Sequence, residues 1–230
     1  MKLSIIIATY NSSRTLRRCL DSIIGQLTSD SELIIIDGGS SDGTNEIISE
    51  YRRYISYSVS EADHGVYDAW NKGIKASKGQ WIAFIGSDDV LLPNAIQQYL
   101  HFIDNCSDEI DLITGKIHYV SKDGHLLQDI GEPFDWEKLV HRKLSLAHPG
   151  LLHNRRCFDN LGLFDTRYKI CADSEFLQRL GKEVKSYYTD VYFVNMSEGG
   201  ISDSFGALHE SFMIRYRNHS ISLLSNIYGL

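Results

Sequence analysis

The chain has 230 residues, 43% apolar and 23% charged, enough to bury a sizeable core in one large domain or a domain plus an appendage. Its formal charge of −7 argues against a general nucleic-acid binder, and no stretch approaches the ~20 apolar residues of a membrane span. The four cysteines, Cys19, Cys106, Cys157 and Cys171, are scattered without a C-x-x-C pair, which fits free thiols in a reducing compartment and not a disulfide frame or a zinc site. The start, Met1 to Ile7, has the look of a signal segment. Its apolar run is broken by Thr9-Tyr10-Asn11, however, and no small-residue cleavage site follows, so it reads as a strand. A cytoplasmic protein is expected, with peripheral contact at the inner face of the membrane left open.

Leu3 to Ala8 reads as the first buried strand, and Asn11, Ser12 and Ser13 offer helix N-caps. Leu16, Cys19, Leu20, Ile23, Ile24 and Leu27 then form one helical stripe. Leu33 to Ile36 is a second strand ending at Asp37. Gly38 to Gly43 makes a tight polar loop, and Thr44 to Tyr51 a short helix. Tyr54 to Val59 alternates as a third strand, and Val66, Ala69, Trp70, Gly73 and Ile74 mark another helix, stopped near Gly79. Trp81 to Ile85 is an apolar run of strand length ending in Ser87-Asp88-Asp89, after which Pro93 suits a first helical position.

This β-α alternation to about residue 105 calls for an α/β fold with a mostly parallel sheet covered on both faces. Beyond it the pattern changes. Ile110–Val120 and His125–Ile130 look extended around a turn, Trp136–Val140 helical, Ala147–His153 a strand, and Asn154–Leu161 and Asp173–Leu180 helical. Val191–Val194 reads as extended, and Phe205 onward as a terminal amphipathic helix. The economical organisation is one domain with two unequal halves, 1–105 and a smaller mixed 106–204, and a helical tail (205–230). Arg215, Arg217 and His219 beside Phe212, Met213 and Tyr216 are compatible with a lipid interface, although packing on the domain or a partner is the commoner use of such a helix.

A parallel sheet brings the ends of strands one, two and four to one edge, where open α/β sheets bind ligands. Tyr10 offers an aromatic face for a base. Asp37, acceptor-only when ionised, can take an imide N–H or a ribose hydroxyl. Asp88 can do the same for ribose, while Asp89 can hold Mg²⁺ or Mn²⁺ on a diphosphate. Each residue also has a plain structural use, as core, turn or cap. Three ligand-bearing ends on one edge favour a site.

These motifs resemble the family 2 glycosyltransferases of GT-A fold. The resemblance rests on Ser4-Ile5-Ile6-Ile7-Ala8-Thr9-Tyr10-Asn11, on Ile35 to Thr44 and on Ser87-Asp88-Asp89. Asp63-His64-Gly65-Val66-Tyr67-Asp68-Ala69-Trp70-Asn71-Lys72-Gly73-Ile74 is similar to the branch that builds bacterial capsular, exopolysaccharide and O-antigen chains. The later half matches through His148-Pro149, Gly162 to Asp165, Ala172 to Phe176 and Gly199-Gly200-Ile201-Ser202.

The resemblance implies a metal-dependent, inverting transfer from a nucleotide sugar, a UDP-sugar above others, to a glycan or lipid-linked glycan hydroxyl. It implies that Ala8 and Tyr10 line the base pocket, that Asp37 contacts the uracil, that Asp88 meets the ribose, that Asp89 ligates Mn²⁺ or Mg²⁺ and that Asp173 is the catalytic base. Asn11, Asp63 and Lys72 complete the expected nucleotide-sugar site, and His148 is placed on the acceptor or leaving-group side. Two departures stand out: Gly38 replaces a second acidic residue after Asp37, and Ala172 precedes Asp173 where many members carry Glu. Read as a residue alone, Asp173 is also a good helix N-cap. A nucleotidyltransferase would want a glycine-rich basic loop after strand one, and Asn11-Ser12-Ser13-Arg14 is not one. A non-catalytic sugar-nucleotide binder would show binding without turnover, and a Rossmann dehydrogenase lacks its G-x-G-x-x-G.

Overall fold

The computed structural model describes residues 1–141, 144–199 and 205–218. In chain order the elements are β1 (Leu3–Thr9), α1 (Leu16–Ile24), β2 (Ser31–Asp37), α2 (Thr44–Glu50), β3 (Tyr57–Ser60), α3 (Val66–Ala76), β4 (Trp81–Gly86), β5 (Val90–Leu91) and α4 (Ala95–Asn105). Then come β6 (Leu112–Val120), β7 (Leu126–Ile130), α5 (Trp136–Val140), β8 (Leu151–Asn154), α6 (Arg155–Leu161), α7 (Ala172–Leu180), β9 (Ser186–Ser197) and α8 (Phe205–Arg217).

The strands form one sheet in the order β3-β2-β1-β4-β8-β6-β9-β5, with β7 paired to β6. Strands β1 to β4 are mutually parallel where they pair, β8 runs antiparallel between β4 and β6, and β6 and β9 are parallel. The α/β architecture expected from the β-α alternation is therefore present, and the sheet continues unbroken into the second half.

The two faces follow from a period of two along buried strands. Leu3, Ile5, Ile7, Leu33, Ile35, Ala83 and Ile85 face one core with α1, α2 and α4. Ile6, Ile34, Ile36, Ile82 and Phe84 face the other, with α3, α6, α7 and Ile214 of α8. On α3, Gly73 lies so close to β1 that a Cβ there would stand 2.5 Å from the Ile6 side chain. That contact seats α3 flat against the parallel strands.

Several boundaries differ from the sequence reading. The N-cap of α1 is Thr15, because Asn11 is drawn off into a left-handed conformation (φ 49°). Residues Arg52–Tyr54 form a 3-10 turn before β3. Pro93 lies outside α4, which starts after Asn94, another left-handed residue. Pro149 turns His148–Gly150 into a 3-10 turn before β8. β9 is far longer than the expected four residues, because it pairs with both β6 and β5. Asp173 is not an N-cap: Cys171 is, and Asp173 sits in the first turn of α7.

The tail helix packs on the domain. Ile214 and Arg215 are buried, and the Glu210 carboxylate accepts backbone N–H groups from Lys169, Ile170 and Cys171 at 2.8, 2.8 and 3.0 Å. Tyr216 is exposed. His219, the rest of the tail, and Gly200-Ile201-Ser202 lie outside the described residues. Among the described residues no helix is long and apolar enough to cross a membrane.

Candidate active site

Register fixes the site. Thr9 pairs with Asp37, Asp37 with Ser60, and Ala8 with Gly86, so the expected strand ends meet on one edge. A cavity of about 580 Å³ opens there, lined by Ala8, Tyr10, Gly38, Asp63, Val66 and Ala69 among others. Tyr10 is 65% exposed, an unusual state for an aromatic ring at a strand end and one that leaves its face free to stack.

Asp37 does not line this cavity. It is fully buried, and its carboxylate accepts from the Ser40 hydroxyl (2.5 Å), the Ser60 hydroxyl (2.6 Å), Ser40 N–H (2.9 Å), Gly39 N–H (3.2 Å) and the Asn45 amide (3.3 Å). Burial alone would raise its pKa. The donors outweigh burial and hold the carboxyl below its ordinary value. Asp37 therefore shapes the 38–45 loop. Asn11 joins the same framework, since its N–H donates to Ser40 and its side-chain oxygen accepts from Ser41 N–H.

Asp63 takes the position over Gly38. A Cβ on Gly38 would stand 2.8 Å from Asp63 Oδ2 and 3.1 Å from its Cγ. The glycine that replaces the second acidic residue thus makes room for a carboxylate from another loop, and that carboxylate lines the cavity. Asp63 Oδ1 also accepts from Gly65 N–H at 2.9 Å, which steadies the turn into α3. Lys72 is not brought to the cavity: its ammonium pairs with Glu61 at 2.9 Å and Asp68 at 3.9 Å on the polar side of α3.

Asp88 and Asp89 fold back over Gly86. A Cβ there would lie 2.9 Å from Asp88 Oδ1 and 2.7 Å from Asp89 Oδ2. Asp89 is buried, and its two oxygens accept N–H groups from Ser197 (3.1 Å) and Gly86 (3.0 Å). Burial and the neighbouring Asp88 charge still push its carboxyl up to about 7. The Arg18 guanidinium nearby donates to the Asp88 backbone carbonyl at 3.0 Å. Neither lines the first cavity, and Asp88 borders a separate one with Arg18, Lys122 and Ser197; two crowded carboxylates with spare oxygen lone pairs fit a divalent cation whose other ligands come from a diphosphate and water. Among the described residues no group of three or more His, Cys, Asp or Glu converges on a metal position.

A second cavity, about 460 Å³, is lined by His148, Asp173, Ser174, Leu144, Leu146 and Leu177 among others. Asp173 Oδ1 takes the Ser174 N–H at 2.7 Å and contacts the Tyr67 hydroxyl at 2.9 Å. Burial raises the Asp173 carboxyl above its ordinary value despite both contacts. His148 Nδ1 stands 3.7 Å from Asp173 Oδ2, and its ring stacks on Trp70 at 4.8 Å. Burial lowers its pKa to about 3, so the imidazole is neutral. Glu175 pairs with Arg179 at 2.8 Å and does not line the cavity.

α3 touches residues of both cavities. Val66 and Ala69 face the first, while Tyr67 and Trp70 reach Asp173 and His148 of the second. The sequence reading passed over Tyr67. A signal was present: Tyr67, Asn71 and Ile74 share a buried face at i, i+4 and i+7, and a buried hydroxyl requires a partner. Glu210 carried no comparable signal, because its partners are backbone groups about forty residues earlier in the chain.

Residues 4–159 match the family described as Glycosyl transferase family 2. A "PGL/p-HBAD biosynthesis glycosyltransferase" of Mycobacterium bovis (strain BCG / Pasteur 1173P2) is 31% identical over 208 residues, covering 87% of this chain and 79% of that protein. The S. aureus TarS fragment 1–349, solved in complex with UDP-GlcNAc, superposes with a TM-score of 0.76 at 19% identity. That match covers 96% of this chain and 66% of the fragment. GalNAc-T7, solved with UDP, GalNAc and Mn²⁺, superposes with a TM-score of 0.70 at 18% identity, over 94% of this chain and 48% of its own. The strand-end motifs, the GT-A architecture and the family match over residues 4–159 agree: the chain belongs to glycosyl transferase family 2.

Proposed function

We propose that this protein is an inverting, metal-dependent glycosyltransferase that moves a sugar from a UDP-sugar to a hydroxyl of a glycan or lipid-linked glycan. The observation that carries the reading is the pair of cavities linked through α3, one at the strand ends lined by Val66 and Ala69 and one holding a buried carboxylate, with a raised pKa, that meets the Tyr67 hydroxyl.

In this reading Tyr10 stacks on the base, Ala8 packs beside it, and Asp63 accepts the imide N–H in place of an acidic residue at Gly38. Asp37 and Asn11 hold the loop that frames the base. Asp88 takes the ribose, and Asp89 with Asp88 would hold Mn²⁺ or Mg²⁺, which supplies charge neutralisation to the departing diphosphate. Asp173 removes the proton of the acceptor hydroxyl, a step worth ~10²–10⁴-fold. Neutral His148, stacked on Trp70, forms the floor beside it. The leucines lining the second cavity suit an acceptor with an apolar portion next to the reactive hydroxyl. That is in keeping with a relative named for PGL biosynthesis and with work at the inner face of a bacterial membrane on surface glycans.

Calorimetric titration with UDP, GDP and CDP, in Mn²⁺ and then in chelator, tests the donor side without an acceptor. UDP binding at least tenfold tighter than that of the other two, and lost on chelation, is expected. Equal binding of all three, or binding indifferent to metal, overturns the base or metal assignment respectively.

A further inference from the structure

The Tyr67 hydroxyl meets two acceptors and owns one proton. Its Oη lies 2.6 Å from the Ile170 carbonyl oxygen and 2.9 Å from Asp173 Oδ1, and the residue is 5% exposed, so water does not compete freely for either contact. A backbone carbonyl can only accept, and so can an ionised carboxylate. The hydroxyl can therefore satisfy one of them at a time, and which one depends on the charge of Asp173. A bond to an ionised carboxylate is stronger than one to a neutral carbonyl. When Asp173 is neutralised that advantage disappears, and the shorter contact to Ile170 becomes the better use of the proton.

We propose that Tyr67 is the positioning residue of the catalytic base, with a hydroxyl that donates to Asp173 while the carboxylate is ionised and rotates to the Ile170 carbonyl once Asp173 has taken the acceptor's proton. The balance is simple. The acceptor O–H bond breaks, its proton goes to Asp173 Oδ2, its electron pair forms the new bond to the anomeric carbon, and the bond from that carbon to the nucleoside diphosphate breaks with its electron pair leaving on the diphosphate oxygen. The Tyr67 proton stays on Tyr67 throughout. The consequence is that the hydroxyl supports the ionised form of a base buried beside α3 and is released to the Ile170 carbonyl when the base is protonated.

The other groups facing Asp173 do not do this. His148 from the 3-10 turn approaches Oδ2 but is neutral. Glu210 from α8 is a like charge that raises the Asp173 pKa. Cys171 precedes it as a thiol, its sulfur directed to the Ala207 carbonyl. Lys169 spends its ammonium on the His64 carbonyl. The Ser174 N–H donates to Oδ1 in either protonation state. The Tyr67 hydroxyl is the side-chain donor that reaches the carboxylate, at 2.9 Å, with a second acceptor to turn to.

The inference rests on Asp173 being the base, and the two are separable by experiment. Carbon-13 NMR of aspartate-labelled protein, with the Asp173 signal assigned by its loss in Asp173→Asn, gives the carboxyl pKa without any substrate. Tyr67→Phe keeps the ring and removes the donor. It is expected to raise the Asp173 pKa by ~1 unit, the share of a charged hydrogen bond left after the Ser174 contact is kept. Replacing Tyr67 with 3,5-difluorotyrosine strengthens the donor and is expected to lower it, which covers the case of a Phe variant that folds poorly. No shift, or shifts of the same sign in both variants, overturns the proposal for Tyr67. Transfer from the UDP-sugar donor by Asp173→Asn at the wild-type rate instead overturns the base assignment, whatever Tyr67 does. In the pH profile of kcat/KM, the acid limb of Tyr67→Phe moves to higher pH along with the carboxyl titration, which a purely structural residue would not cause.

Discussion

The cavity over β1 and β2 and the cavity beside α7 hold their carboxylates in opposite ways. At the first, Asp37 is enclosed by five donors from its own loop, the first turn of α2 and the end of β3, and its pKa falls although it is buried. At the second, Asp173 has one backbone donor and one shared hydroxyl, and its pKa rises. Burial is common to both; the number of donors decides the sign. A saturated carboxylate serves as scaffold, since its lone pairs are already committed. An under-supplied one can still take a proton, which suits it to general-base work. Asp89 stands between the two, with two backbone donors set against burial and a neighbouring charge, and titrates near 7.

The sharpest way to break this contrast is at Asp173. Asp173→Asn should lower transfer by ~10²–10⁴-fold while UDP affinity and thermal stability stay near wild type. Comparable losses in binding would mean that the carboxylate belongs to the scaffold.

Asp89 is the next test. Its folded pKa lies above the unfolded value of about 4, so its contribution to stability is complete below about pH 4 and is lost as pH rises through about 7. Thermal melts of metal-free protein should therefore show a fall in Tm over that window, and Asp89→Asn should flatten it. Manganese requires the ionised form, so the Tm gain from Mn²⁺ should grow from pH 6 to pH 8 in wild type and vanish in the variant. An unchanged Mn²⁺ response in Asp89→Asn would remove it from the metal site.

A smaller effect is expected at Asp63. Asp63→Ala should cut the preference for UDP over CDP by about tenfold, the worth of one buried charged hydrogen bond. Isothermal titration at fixed Mn²⁺ measures it, and retained selectivity would return base reading to another residue. Lys72→Ala should matter least. Its ion pair with Glu61 is largely solvated and worth ~0–1 kcal/mol, so denaturant midpoints should barely move and UDP affinity should not change.

The first site was largely legible because its parts recur at the ends of consecutive strands. Apolar runs ending in Asp37 and Asp88-Asp89, together with the parallel rule, bring those ends to one edge before any coordinate is known. What could not be read was which carboxylate faces inward. Asp37 and Asp63 are both single acidic residues in polar loops. Only the donors around Asp37 and the space over Gly38 distinguish them. Lys72 looked available in the sequence, and its partner Glu61 lies eleven residues earlier, off the helix. The second site was legible only as His148 and Asp173, without their assembly and without Tyr67 and Glu210. Tyr67, His148, Asp173 and Glu210 come from α3, a 3-10 turn, α7 and α8. No periodicity links those elements.

Sequence alone determined the α/β class, the parallel core of β1 to β4, and the edge on which a ligand would sit, because strand burial and connection handedness are written in local apolar pattern. The tertiary structure decided the antiparallel insertion of β8, the reach of β9, the packing of α8 on the domain, and the charge state of each acidic residue. Those depend on which donors and charges arrive from distant parts of the chain, and a carboxylate's chemistry is set by that company.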